Sequence, residues 1–513
     1  MSAGRPVKSP PMSSASPKFA DLRAFIAFLE ERGQLLRVDE PVSTHLEMTE
    51  IHRRLIASGG PAVVFENAVT EGGGKASMPV AVNLFGTVER TAWAMGVRPG
   101  GLRELGEKLA FLRQPTPPRG LREAWEQIPV LREALSMRPR AVRRAPCQQR
   151  VFTGGEATLD MLPIQSCWPG EPAPLITWPL VITRPPDAAS DDASACNIGV
   201  YRMQKLSPRS AIMRWLAHRG GAMHHLQWRE RGQDMPVAIA IGADPATIMA
   251  AVTPLPETLG EYLYAGLLRG ARGSLVPAVT QPLLVPANAE IVIEGTVSAT
   301  RTAPEGPYGD HTGYYNSVEP FPVLDITAIT MRRDPLYMTT FTGRPPDEPS
   351  RMAEAMGEVF LPLLRQQFPE IADFWLPPEG CSYRIGVCSI RKRYPGHARR
   401  VMMGLWSALR QFSYTKLLIV VDEDINPRSW PDVMWALSTR FDASRDVVII
   451  EDTPIDYLDF ASPKEGLGGK LGLDATTKMG NETSREWGRV LDMDGETKKR
   501  VDEMWPRLFN GGK

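Results

Sequence analysis

The chain has 513 residues, with 59 Lys+Arg against 59 Asp+Glu, 43% hydrophobic residues, 44 Gly and 47 Pro. That length exceeds one ordinary core and predicts two or three domains, while zero formal charge argues against the basic face of a nucleic-acid binder. No apolar run approaches the roughly 20 residues of a membrane span, and five cysteines without a CxxC pair argue for a reduced, cytoplasmic setting.

Residues 1–17 are Ser/Pro-rich without an apolar segment and read as a disordered tail. Over 18–33, Phe19, Leu22, Phe25, Ile26, Phe28 and Leu29 recur near helical spacing. Leu35–Val38 reads as a strand, 46–58 as a helix closed by Gly59-Gly60, and Ala62–Phe65 and 79–82 as short strands. This alternation predicts an N-terminal α/β domain over 18–119, closing at the Pro-rich stretch 115–119.

From 120 to 330 the pattern becomes short, often β-branched runs between Gly/Pro turns, at 175–178, 180–183, 237–241 and 290–294. A mostly antiparallel barrel or sandwich follows from that pattern, interrupted by a helix over 257–269. From 331 to 513 alternation returns. Helices are expected at 351–368, kinked or broken at Pro362, then at 397–412 and 430–440. A buried parallel strand at 417–421 ends on Asp422-Glu423-Asp424, and another strand covers 447–450. The tail 484–509 ends in a charged helix carrying Val501, Met504, Trp505 and Leu508, fit to dock on a second subunit or on its own domain.

The chemistry concentrates in Glu305-Gly306-Pro307-Tyr308-Gly309-Asp310-His311-Thr312-Gly313-Tyr314-Tyr315-Asn316. Three glycines and a proline within nine residues disfavour a helix and leave a stiff loop holding two carboxylates five positions apart. Such a loop can place one acid beside a cation and another in an apolar pocket, separating their pKa values. Aromatics and a histidine in the same loop favour a pocket over a solvated turn.

Strand alternation through Cys196–Arg202 puts Arg202 on the face of Ile198 and Val200, towards a core. A buried arginine requires a carboxylate, and Glu305 and Asp310 are the candidates. Arg214, Arg219, Gly220 and Gly221 gather donors that suit a phosphate, and His218, His224 and His225 lie among them. Glu261 either complements a helix dipole or supplies an oxygen to Mn2+ or Mg2+. The glycines at 466–472 do not form a Walker A loop and carry little weight for nucleotide binding.

These residues resemble the UbiD family of prenylated-FMN-dependent aromatic acid decarboxylases, above all its ubiquinone-pathway branch. The resemblance rests on AsnIleGlyValTyrArgMetGln at 197–204, MetArgTrpLeuAlaHisArgGlyGly at 213–221, GluGlyProTyrGlyAspHisThrGlyTyrTyr at 305–315 and ProIleAspTyrLeuAspPheAlaSerPro at 454–463. It covers nearly the whole chain beyond residue 18. It implies a central flavin-reductase-like split β barrel flanked by N- and C-terminal α/β regions. The family's catalytic trio falls on Arg202, Glu305 and Asp310. Metal ligands fall on Asn197, Glu261 and His218, with His224 the less favoured alternative, for Mn2+ or Mg2+ with K+ beside it. Prenylated-FMN contacts fall on Val200, Tyr201, Arg202, Arg214, Trp215, Leu216, Arg219, Gly220 and Lys416.

The implied reaction is decarboxylation of 4-hydroxy-3-polyprenylbenzoate, or of another aromatic or heteroaromatic acid. Asp310 would act as general acid, for which a raised pKa is expected. A flavin prenyltransferase would supply the cofactor, and the subunits would form dimers or hexamers. The substrate's prenyl tail would need an apolar channel or a membrane-facing mouth, so peripheral membrane contact enters as an expectation without a membrane helix to support it.

Overall fold

In a computed structural model the described residues are 17–113, 137–216, 219–253, 255, 259–408 and 410–509. Residues 1–16 of the expected tail and the whole stretch 114–136, with the Pro-rich boundary expected at 115–119, lie outside them, as does His218.

The N-terminal domain begins with helix Leu22–Glu31. The Asp21 carboxylate accepts from the Ala24 N–H, and Leu22, Phe25, Ile26 and Leu29 form the buried face. Phe25 stacks on Phe85. Helix Glu47–Ala57 follows, close to its expected bounds. The sheet beside them runs Leu35–Val38, Ala62–Phe65, Val80–Val82 and Tyr337–Met338. Its last strand arrives from beyond the division drawn at 330, pairing parallel with Val80–Val82. Helix Glu348–Gln367 starts at an Asp347/Ser350 capping box and runs unbroken through Pro362. Its buried Glu348 accepts from the Phe85 N–H, tying it to the N-terminal sheet.

The centre is a nine-stranded sheet curled into an open half-barrel. The path is Asn197–Val200, Leu180–Thr183, Met235–Ile241, Ile291–Glu305, Glu319–Met331, Ser210–Met213, Met203–Ser207 and Leu175–Ile176, with Arg150–Thr153 added on Glu319–Met331. Every pairing in it is antiparallel. Met235–Ile241 is buried along its full length, as a strand covered on both faces must be. Ile291–Glu305 and Glu319–Met331 form one long hairpin, paired as far as Glu305 opposite Glu319. The 306–318 loop is therefore the tip of that hairpin.

The C-terminal sheet runs Ile371–Trp375, Ile385–Ile390, Leu417–Asp422, Leu467–Ala475 and Val447–Pro454. Its central strand Leu417–Asp422 is parallel to both neighbours. Helix His397–Ala408 covers one face through Met402, Leu405 and Trp406, and helix Trp430–Arg440 covers the other through Val433 and Ala436. The helix expected over 397–412 thus ends at Ala408, and a short 3-10 turn, Arg410–Tyr414, completes the stretch. Gly495–Phe509 forms the terminal helix, with Trp505 and Leu508 exposed. No helix among the described residues is long and apolar enough to cross a membrane.

Candidate active site

Arg202 lies two residues past the end of strand Asn197–Val200, at the corner before Met203–Ser207. That corner turns its guanidinium towards the tip of the long hairpin. Its Nε donates to Glu305 Oε1 at 2.8 Å and Nη2 to Oε2 at 3.2 Å, while Nη1 donates to Asp310 Oδ2 at 2.9 Å. Glu305 is fully buried and Asp310 nearly so. One cation bridges two carboxylates from one loop, the arrangement a buried arginine needs. Arg214 comes within 3.3 Å of Glu305 as a second cation.

The loop is fixed by its own hydrogen bonds. Asp310 N–H donates to the Tyr314 carbonyl, Gly313 N–H to the Asp310 carbonyl, and Tyr308 N–H to Asn316 Oδ1. Gly309 lies so close to the Trp168 indole that a Cβ there would overlap the ring. Gly313 takes a φ of +80°, where a side chain would be strained.

Charge follows from this packing. Burial lowers the Arg202 pKa, but Asp310 and Glu305 outweigh it and leave it raised. Burial pushes the Asp310 carboxyl up. The hydrogen bond from His311 and the charges of His311, Arg202 and Arg214 reverse that and hold it well below the usual carboxylate range. The expected raised pKa at Asp310 is thus corrected: cations converge on it from three sides, and desolvation alone does not set its state.

Two features suit an anionic ligand. Arg214 Nε faces Glu305 Oε2 at 3.3 Å without hydrogen-bond geometry, its Nη2 is buried without an acceptor, and its guanidinium lies near the Phe321 and Tyr457 rings. Buried donors without acceptors are costly unless a ligand supplies one. Helix Gly220–Glu230 starts at Arg219 without a side-chain cap from that residue, a start at which backbone N–H groups can meet an anion. Asn197 Oδ1 occupies the space a Cβ on Gly220 would fill. Glu261, at the first position of helix Glu261–Arg269, accepts from the Ile198 N–H at 3.1 Å. It has no ion-pair partner among the described residues, and burial pushes its carboxyl up. A desolvated carboxylate bonded to the backbone next to Asn197 is an oxygen donor that suits a hard cation.

The other expected contacts divide. Tyr201 OH accepts from the Gly221 N–H, and its ring meets Trp215 edge-on, so both build the wall below the helix start. Val200 and Leu216 are half-buried beside them, and Arg219 is exposed. His224 bonds Thr183 and is held down to about 4 by burial, and His225 is engaged by the Ser298 carbonyl. Lys416 pairs with Asp459 at 2.7 Å, within the C-terminal domain.

Sequence reasoning assigned no role to four residues that close the cluster. His311 Nδ1 lies 2.7 Å from Asp310 Oδ1. Asp456 lies 3.8 Å from His311 Nε2 and takes the Tyr383 hydroxyl at 2.9 Å. Tyr457 lies over Arg214. For Asp456 and Tyr457 the signal was the stretch 454–463, legible as a pattern but not as a neighbour of the loop, and for His311 it was the loop itself. Glu171 adds a carboxyl raised by burial, accepting from the Cys167 N–H.

The fold and this cluster together describe a three-domain α+β enzyme whose chemistry centres on one buried arginine and two acids. Residues 26–109 match the N-terminal domain, 140–345 the Rift-related domain and 350–475 the C-terminal domain of 3-octaprenyl-4-hydroxybenzoate carboxy-lyase. The chain belongs to the UbiD family of carboxy-lyases. Vanillic acid decarboxylase from Sedimentibacter hydroxybenzoicus, in closed form, is similar at 27% identity and a TM-score of 0.81, covering 96% of this chain and 99% of that one. The UbiD-class enzyme HmfF from Pelotomaculum thermopropionicum, in complex with FMN, is 29% identical with a TM-score of 0.77, covering 94% and 99%. An evolved dimeric form of HmfF, in complex with prFMN, is 28% identical with a TM-score of 0.75, covering 94% and 100%.

Proposed function

We propose that this chain is a prenylated-FMN-dependent decarboxylase that converts 4-hydroxy-3-polyprenylbenzoate to 2-polyprenylphenol in ubiquinone biosynthesis. The observation that carries the reading is the buried Arg202–Glu305–Asp310 cluster beside Arg214, whose Nη2 is buried without an acceptor. Support for the substrate comes from the carboxy-lyase named in all three matched domains.

Loss of CO2 from a benzoate leaves ring electrons that need a covalent sink, and the modified flavin supplies that chemistry when bound. The chain's own residues do the rest. Arg214 presents buried donors to an anion, and Arg202 holds Glu305 and Asp310 in register. Asp310 delivers the proton to the ring carbon, and the packed loop excludes water from it. Val200, Tyr201, Trp215, Leu216, Arg219 and Gly220 would line the flavin. Asn197, Glu261 and His218 would hold Mn2+ or Mg2+ for the flavin, with His224 the less favoured alternative. A flavin prenyltransferase would supply the cofactor, and the terminal helix would serve a homo-oligomer.

A second reading, decarboxylation of a smaller aromatic acid, is favoured by the similarity to a vanillic acid decarboxylase. The test is protein co-expressed with a flavin prenyltransferase, checked for cofactor by mass and absorbance, then assayed for CO2 release. Release from a 4-hydroxy-3-prenylbenzoate supports the first reading. Release only from vanillate-like acids moves the protein to the second, and absence of any flavin overturns both.

A further inference from the structure

Asp310 stands as a carboxylate between two donors of different kinds. Arg202 holds Oδ2, while the backbone N–H and Nδ1 of His311 both reach Oδ1, at 2.8 and 2.7 Å. An arginine does not release a proton at working pH, whereas an imidazolium does. Nε2 of the same ring is buried without a hydrogen-bond partner and faces Asp456 Oδ2 at 3.8 Å. Asp456 is itself anchored, accepting from the Leu458 N–H and the Tyr383 hydroxyl and lying 3.1 Å from Arg384. The ring is therefore bracketed by one carboxylate from the hairpin loop and one from the C-terminal domain.

We propose that His311 is the proton store behind Asp310, its Nε2–H side facing the charge of Asp456, so that reprotonation depends on the docked C-terminal domain. This deepens the decarboxylase reading and rests on it. The proton balance is simple. The imidazolium passes its Nδ1 proton to Asp310 Oδ1, and the neutral ring keeps Nε2–H towards Asp456. The bond from ring carbon to carboxylate breaks, CO2 leaves, and the electron pair left on the ring carbon takes that proton from Oδ1, returning Asp310 to its carboxylate. Solvent water returns one proton per turnover to Nδ1. Of the pair, the imidazole is the more open to solvent, at 20% side-chain exposure against 10% for Asp310. His311 is a positioning residue in this scheme, acting through Asp310.

The groups around the ring agree with that role. Burial lowers the His311 pKa, but the Asp310 hydrogen bond and charge, with Asp456, outweigh burial and Arg384 and leave it raised. Asp347 at the cap of helix Glu348–Gln367 adds a further carboxyl within electrostatic reach, and the Tyr383 ring lies 6.4 Å away. A raised imidazole is charged below its own pKa, so the store is full at low pH and empties as pH rises through that value.

Two measurements separate this proposal from the reading beneath it. The first uses the full chain without cofactor, with labelled histidines followed by NMR. There are seven histidines, and the His311 signal is the one lost in His311→Asn. The expected result is a protonated His311 at pH 7 whose titration moves down in Asp310→Asn and, by less, in Asp456→Asn. A neutral His311 at pH 7 overturns the proposal whatever the substrate is. The second uses the prenylated-FMN-loaded enzyme and the pH profile of CO2 release. His311→Asn should lower kcat by about 10²-fold, hold KM within about twofold, and remove the alkaline limb. Asp456→Asn, which leaves the acid pair intact, should shift that limb to lower pH. Wild-type kcat in His311→Asn overturns the relay. Absence of turnover in wild-type protein, with NMR as expected, overturns the substrate reading alone.

Discussion

In the N-terminal domain His52 lies 3.7 Å from Glu348, and at the mouth of the half-barrel His311 lies 2.7 Å from Asp310. Both pairs are packed away from bulk water, yet they titrate in opposite directions. Burial drives His52 down to about 3 and raises Glu348, so both move towards neutrality. Arg90 nearby is lowered to about 10 for the same reason, with its Nε and Nη2 unpartnered. At the other pair His311 is raised and Asp310 lowered, so both move towards charge. The difference is contact: a direct hydrogen bond plus Arg202 and Arg214 outweigh desolvation in one place, and nothing comparable exists in the other. Burial by itself makes a quiet polar core; converging cations make a site that holds charge.

The largest effect should come from making the second region resemble the first. Arg202→Met leaves Glu305 and Asp310 buried without their shared cation. Urea unfolding at pH 7 should show a loss of about 3–5 kcal/mol. The two carboxyls would then have raised folded pKa values, so the loss should shrink as pH falls and they protonate. CO2 release should drop by about 10³-fold. Stability equal to wild type at pH 7 would mean that the cluster is not held by Arg202.

Asp310→Asn should be gentler on the fold and severe on turnover. The amide still accepts from Arg202, so cofactor occupancy and stability should stay near wild type. With no acid to deliver, CO2 release should fall by about 10²–10⁴-fold. Single-turnover product formation separates this from a binding defect, and wild-type-like turnover would remove Asp310 from the reaction.

The sequence made the hairpin tip readable because its chemistry is contiguous. Glu305 and Asp310 sit five residues apart, and Arg202 announces its need for a carboxylate by lying among Ile198 and Val200. The half-barrel was readable for a similar reason, since short β-branched runs between turns are local signals. Tyr337–Met338 was not, because a two-residue strand carries no period and only the fold returns it to the N-terminal sheet. Nor was the approach of Asp456 to His311, or of Tyr457 to Arg214, which depends on how the C-terminal domain docks. The sign of the Asp310 shift is not legible in the sequence, because it depends on how His311, Arg202 and Arg214 converge on the buried carboxyl.

The quiet pair should show itself in stability rather than activity. His52 has a folded pKa of about 3 against 6.5 for the free side chain. Between those values the unfolded chain binds a proton that the native protein refuses. Stability should therefore fall as pH drops through that window, by a few kcal/mol at its foot. His52 already packs edge-on against Phe341, so His52→Leu should cost under about 1.5 kcal/mol at pH 7. It should flatten the acid dependence seen in urea titrations and leave CO2 release unchanged. An undiminished acid slope would place the refused proton elsewhere.

A third kind of ion pair gives the smallest effect. Lys416 holds Asp459 at 2.7 Å, but the lysine side chain is 42% exposed while the aspartate is 8% exposed. Asp459 also accepts from the Ala461 N–H, so it keeps a partner when the lysine is removed. Solvent screens such a pair, and Lys416→Ala should change stability by under about 1 kcal/mol. The informative readout is cofactor occupancy after co-expression with a flavin prenyltransferase. If Lys416 serves only to pin the 454–463 stretch, occupancy stays at the wild-type level. If its ammonium leaves Asp459 for the flavin phosphate, occupancy falls and high phosphate competes with the remainder. That second result would make the C-terminal domain a contributor to cofactor binding as well as to the surroundings of His311, joining the two ends of the site through one loop.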